Sequence, residues 1–147
     1  MTISMQSIAT VRSPFTKNEA RMSRRDIVAE IVVREELARA LLGIEEWSHL
    51  FVLFWMDQLA AKLHPLATHP RHRADLQEVG IFAARGRDRP NPIGLAVVEL
   101  LKRDGNILTV KALDAYDGSP ILDIKPYDPY DVVSDLRVPA WWTNVSH

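Results

Sequence analysis

The chain contains no cysteine, so disulfides, thiolate metal sites and a thiol nucleophile are excluded, and nothing points to an oxidising compartment. Long hydrophobic runs are missing as well. The longest, Leu50–Met56, is far too short to cross a bilayer. Met1-Thr2-Ile3-Ser4-Met5 lacks the basic start and apolar core of a secretory signal, and a cytoplasmic protein is expected. Neither G-x-G-x-x-G nor G-x-x-x-x-G-K-[ST] occurs, which removes a Rossmann dinucleotide site and a P-loop. No G-x-S-x-G elbow is present, so α/β-hydrolase chemistry is not expected either. His64, His69 and His72 fit no helical i, i+4 pair and stand among Pro and Arg, so no metal is expected.

What is present is an ordinary globular composition, 47% hydrophobic and 25% charged over 147 residues. That length fits one domain over residues 1–147 with its core at about 7–138. The net charge of −1 argues against a generic nucleic-acid coat, yet the charge is unevenly spread. Arg12, Lys17, Arg21, Arg24 and Arg25 face one early acid, Glu19. Lys62, Arg71, Arg73, Arg85, Arg87 and Arg89 outnumber Asp75, Glu78 and Asp88. Towards the end, Asp114, Asp117, Asp123, Asp128, Asp131 and Asp135 outnumber Lys111 and Lys125. One cationic face for a polyanion, with an acidic pocket or rim elsewhere, accounts for that polarity; solvated surface charge is the plain alternative.

The most distinctive stretch is Arg85–Leu95, R-G-R-D-R-P-N-P-I-G-L. Three arginines alternate along it, and prolines on either side of Asn91 stiffen the backbone. Such a loop loses little entropy on binding and presents planar donors suited to carboxylate or phosphate.

Strands are expected at Ser7–Arg12, Asp26–Val33, Leu50–Met56, Val79–Ala83, Ile93–Lys102, Ile107–Leu113 and Ile121–Ile124. Leu50–Met56 reads as buried on both faces. Arg103–Asn106 forms a hairpin turn, and Glu35–Leu42 is the one clear helix, ended by Gly43. His64–His72 reads as loop, and the tail after Pro126 as irregular. The fold class is mainly β: a small antiparallel barrel or sheet with one short helix and irregular loops. Two acidic groupings remain for chemistry. Asp57 ends the apolar run, where it either reaches water or holds a cation beside a cavity. Asp114–Tyr127, D-A-Y-D-G-S-P-I-L-D-I-K-P-Y, pairs a turn with Asp123 and Lys125 on a short β segment.

Four blocks, V-R-S-P-F at Val11–Phe15, G-I-E-E-W-S-H-L at Gly43–Leu50, R-P-N-P-I-G-L at Arg89–Leu95 and L-D-A-Y-D-G-S-P-I-L-D-I-K-P-Y at Leu113–Tyr127, occur in this order. Together they resemble the TrmO family, also called TsaA-like or YaeB-like, over nearly the whole chain, about Ser7 to Tyr130. The resemblance implies a small antiparallel β-barrel, a homodimer, and methylation of N6 of threonylcarbamoyladenosine in tRNA with S-adenosyl-L-methionine. Carried over position by position, it places the cofactor pocket on Asp57, Gln58, Arg85, Leu95, Asp114, Ala115, Tyr116 and Asp117. In that assignment the aspartates face the cofactor's cationic groups, Arg85 holds its carboxylate, and strand-edge backbone reads the adenine. With tRNA as partner, Arg24, Arg25, Arg71, Arg73 and Arg89, with Asn91 and Lys125, become the substrate contacts. No residue is assigned as proton acceptor.

Two departures from the family pattern stand out. A Pro-Arg-Gln segment expected after V-R-S-P-F is replaced by Arg21-Met22-Ser23-Arg24-Arg25, and a T-R-S before R-P-N-P by Ala84-Arg85-Gly86. These leave room for methylation of another RNA or small molecule, or for a non-catalytic cofactor- or RNA-binding module.

Overall fold

The computed structural model describes residues 1–16, 23–56 and 66–145. Two compact units emerge, one from Met1–Ala60 with Pro92–Tyr127, the other from Ala61–Asn91 with Asp128–His147.

The first unit is a closed antiparallel barrel of six strands: β1 (Ala9–Arg12), β2 (Val28–Val33), β3 (His49–Trp55), β6 (Ile93–Asp104), β7 (Ile107–Lys111) and β8 (Pro120–Pro126). Around the barrel the order is β1-β2-β7-β6-β3-β8, and β8 returns to pair with β1. Closure leaves no open edge among these strands. Side chains alternate in and out with the period of two that strands impose. Ala9, Val11, Ala29, Ile31, Val33, Leu50, Val52, Phe54, Ala96, Val98, Leu108, Val110 and Ile121 point inward and are buried. Small residues stand opposite large ones, which is how a six-stranded barrel fills its interior. Gly94 shows this most clearly: it pairs with Phe54, and a Cβ there would collide with the Phe54 ring.

The expected mainly β barrel is therefore found, with differences in its elements. Leu50–Met56 is not buried on both faces; β3 alternates, with Phe51, Leu53 and Trp55 half-exposed. The run is continuously apolar because its outer residues also find apolar neighbours. Phe51 meets Tyr127 edge-on at 5.2 Å, and Leu53 pairs with Leu95. Glu35–Leu41 is a 3-10 helix rather than an α-helix, bonded from Leu37 N–H to the Arg34 carbonyl and from Leu42 N–H to the Arg39 carbonyl. It connects β2 to β3 with only Leu41 fully buried, too little anchorage to favour a full α-helix. Gly43 does end it, at φ 84°. β7 stops at Lys111 because Ala112 turns the chain away at φ 76°.

In the second unit, Ala67–Thr68 (β4), inside the stretch read as loop, pairs with Val79–Gly80 (β5), the first two residues of the strand expected at Val79–Ala83. Ile81–Ala83 continues as a 3-10 turn instead of strand. The tail is not wholly irregular: Asp128 caps the turn Pro129–Asp131, and Ala140–Thr143 is the α-helix, α1.

Candidate functional site

The inward side chains of the barrel form one buried hydrophobic cluster, so its polar and charged groups lie at its ends and on its outer face. Antiparallel pairing decides which segments share an end. Arg12 pairs with Glu30 and Thr10 with Pro120, Val28 pairs with Lys111, and Trp55 with Ile93. The ends of β1, β3 and β7 and the starts of β2, β6 and β8 therefore lie at the same end. V-R-S-P-F, the start of Ile93-Gly94-Leu95 and the Asp114–Asp117 loop, far apart in sequence, are gathered there. Leu95 is on the outer face of β6, 47% exposed, opposite Leu53.

The Asp114–Asp117 loop is held by backbone bonds on both sides. Ala112 N–H donates to the Ile27 carbonyl at 2.8 Å, and Asp117 N–H to the Phe15 carbonyl at 2.8 Å. Gly118, left-handed at φ 84°, donates to the Val11 carbonyl at 2.8 Å. Leu113 and Ala115 are buried and act as plugs. Asp114 is thereby presented between two fixed points, its side chain 32% exposed. Tyr116 lies against Phe15, ring centroids 5.0 Å apart and planes tilted by 31°.

Asp117 is architectural. Its Oδ1 accepts from Ser13 N–H at 2.9 Å, while the Ser13 hydroxyl accepts from Phe15 N–H at 3.0 Å. These bonds fix the loop after β1. Beside it an open groove of about 480 Å³ runs along Arg12, Pro14, Val28, Glu30 and Asp117. Arg12 and Glu30 pair across it at 3.2 Å.

Arg24, from the exposed turn Arg24–Asp26 that opens the path into β2, brings Nη1 to 3.8 Å from Asp114 Oδ2. Arg25 is exposed on the same turn. Lys125 is not brought to this rim. It lies near the far end of β8, pairs with Phe51, and its Nζ meets Asp123 Oδ2 at 3.0 Å. Asp57 and Gln58 lie outside the described residues.

Arg71, Arg73, Arg85, Arg89 and Asn91 belong to the second unit. There the three arginines of R-G-R-D-R do not act alike. Arg89 Nη1 turns back onto the carbonyls of Ala84 at 2.8 Å and Gly86 at 3.0 Å, so it braces its own loop. Arg85 and Asn91 are exposed. Arg73 grips Asp75 with two bonds, Nε to Oδ1 at 3.1 Å and Nη2 to Oδ2 at 2.6 Å. The hydrogen bond from Arg73 holds the Asp75 carboxyl below its usual range. Arg71 and His72 are both left-handed, at φ 56° and 55°. Among the described residues no group of three or more His, Asp or Glu could hold a metal. No described helix is long and apolar enough to cross a membrane.

Sequence reasoning missed the Arg24–Asp114 pair, the Ile27–Ala112 bond and the left-handed Ala112. Arg24 and Asp114 were each legible as charges, but only the barrel's register makes them neighbours. Nothing in the sequence marks Ala112.

Residues 10–131 match the tRNA-methyltransferase O N-terminal domain. An S-adenosyl-L-methionine-binding protein of Archaeoglobus fulgidus is 44% identical over 137 residues, 90% of this chain and 96% of that protein. The tRNA (adenine(37)-N6)-methyltransferase of Escherichia coli is 34% identical over 136 residues, 85% of this chain and 57% of the enzyme. A crystal structure of TrmO superposes with a TM-score of 0.76 at 34% identity, covering 94% of this chain and 64% of the other. The chain also spans only 38% of the length of a second A. fulgidus relative.

Proposed function

Because the chain belongs to the tRNA-methyltransferase O family, we propose that it binds S-adenosyl-L-methionine at the barrel rim and methylates N6 of threonylcarbamoyladenosine in tRNA. The observation that carries this reading is the convergence of V-R-S-P-F, the start of β6 and the Asp114–Asp117 loop on one end of a filled barrel.

The residues at this rim fit the cofactor's chemistry. Asp114, partly exposed on a backbone hydrogen-bonded at Ala112 and Asp117, supplies a carboxylate for a cationic group. The Phe15–Tyr116 pair supplies an aromatic surface beside it for a planar base. When bound, the cofactor supplies an electrophilic methyl group. The chain's part is to orient, with Leu113 and Ala115 anchoring the loop so that little ordering remains on binding. Asp117 acts on the pocket through Ser13, as a positioning residue. Arg85, and Asp57 with Gln58, keep the cofactor roles that the family pattern assigns them, and Arg25, Arg71 and Asn91 the tRNA contacts. Homodimerisation belongs to the same reading and is checked by sedimentation.

The deciding experiment is mass spectrometry of tRNA nucleosides from cells with and without the gene. Loss of the methylated form of threonylcarbamoyladenosine, restored by the gene, is expected; an unchanged nucleoside profile overturns the substrate. A second reading, cofactor binding with a different acceptor or none, draws on the Arg21–Arg25 segment, which lacks the family's proline and glutamine. It predicts calorimetric binding of the cofactor with no methyl transfer to tRNA.

A further inference from the structure

Resting on the cofactor reading above, we infer that Arg24 is an internal counter-ion that competes with the cofactor's cationic group for Asp114, and so limits how tightly this chain holds its cofactor.

The two partners are held very differently. Asp114 sits between buried Leu113 and Ala115, two residues after Ala112, which is bonded to Ile27, so its carboxylate stays at the rim whatever it pairs with. Arg24 hangs from a three-residue turn that buries nothing, fastened by the Asp26 N–H to Ser23 carbonyl bond at 2.9 Å. Its side chain is 66% exposed.

The contact itself is loose. At 3.8 Å the guanidinium lies beside the carboxylate without a directional hydrogen bond. An ammonium or sulfonium brought against Asp114 therefore displaces a weak partner, but it must displace one. Asp117, the other carboxylate of the loop, accepts from Ser13 N–H and from its position serves the loop after β1. Asp114 is thus the carboxylate over which a ligand cation and Arg24 contend.

Removing the competitor should tighten binding. A partly exposed pair of this kind corresponds to about a two- to fivefold change in affinity. Calorimetry on the whole chain tests this with S-adenosyl-L-methionine and S-adenosylhomocysteine. Arg24→Gln should bind S-adenosyl-L-methionine about two- to fivefold more tightly than the parent, and Arg24→Lys should stay near the parent. Equal tightening for both ligands assigns the α-ammonium to Asp114; tightening for S-adenosyl-L-methionine alone assigns the sulfonium. In an Asp114→Asn background, Arg24→Gln should change nothing, which separates competition from a general effect of surface charge. Unchanged or weaker binding by Arg24→Gln overturns the inference while leaving the cofactor reading intact. No binding by either parent or Arg24→Gln overturns both.

Discussion

Asp114 and Asp117 stand in one loop and do different work. Asp117 accepts a hydrogen bond from Ser13 N–H, a residue 104 positions away, and ties the loop after β1 to the loop before β8. Asp117→Ala should cost about 1 kcal/mol of folding stability, read as a lower urea midpoint. Asp114→Asn should leave that midpoint within about 0.5 kcal/mol yet weaken S-adenosyl-L-methionine about tenfold or more. If the two effects are exchanged, the division of labour is wrong. Ala112 offers a separate test. An L-residue in the left-handed region costs roughly 1–2 kcal/mol, of which a glycine's extra unfolded-state freedom takes back about half. Ala112→Gly should therefore stabilise the protein by about 0.5–1 kcal/mol at an unchanged denaturant slope. Both aspartates were visible in the sequence as members of one block. Their roles were not, because the role of each depends on a partner that folding supplies.

At the scale of elements, strands were legible wherever alternation or an apolar run filled five or more positions, as in β2, β3, β6 and β7. Elements held by tertiary contacts were read poorly: the two residues of β4 have no periodicity to read, the strand expected at Val79–Ala83 is strand only at Val79–Gly80, and the 3-10 helix Glu35–Leu41 carries the same residues as an α-helix. R-P-N-P-I-G-L was recognised as a rigid loop leading into a strand, but its glycine serves the barrel. Gly94→Ala would push a methyl into the Phe54 ring and force it from its place, at a cost of about 1–3 kcal/mol in urea unfolding. In the loop that follows β4, Arg73 was expected to face RNA, and the structure gives it to Asp75. The Asp75 carboxyl is lowered by this bond in the folded state, so its stabilising effect is present above the usual carboxylate range. It fades as the pH falls through the lowered value. Arg73→Ala should return the Asp75 titration, followed by carboxyl NMR, upward towards its ordinary position. An unmoved titration would mean that the pair does not persist in solution.

For the whole molecule, a net charge of −1 means that no overall field draws an anionic RNA to this protein. Attraction has to come from local groups of arginine, and several of these are already engaged within the chain. Arg73 is paired with Asp75, Arg24 with Asp114, and Arg89 is spent on the Ala84 and Gly86 carbonyls. The sequence showed the cationic clusters but could not show this internal neutralisation, which rests on side-chain geometry at three separate places. It has a measurable consequence, because each phosphate neutralised on a duplex contributes about −0.9 to the slope of log affinity against log salt. Contact through all five arginines expected at the RNA would give a slope of about −4.5, whereas holding back Arg24, Arg73 and Arg89 should leave about −2. Binding of threonylcarbamoyl-modified tRNA, followed by fluorescence anisotropy between about 50 and 200 mM salt, should therefore weaken by roughly tenfold. Asp75→Asn, which releases Arg73, should strengthen binding at low salt and steepen the slope by nearly one phosphate's worth, and Arg73→Ala should change little. A steep slope in the parent, or a large loss on Arg73→Ala, would show that RNA draws these arginines away from their partners and that their pairing in the free protein does not govern recognition.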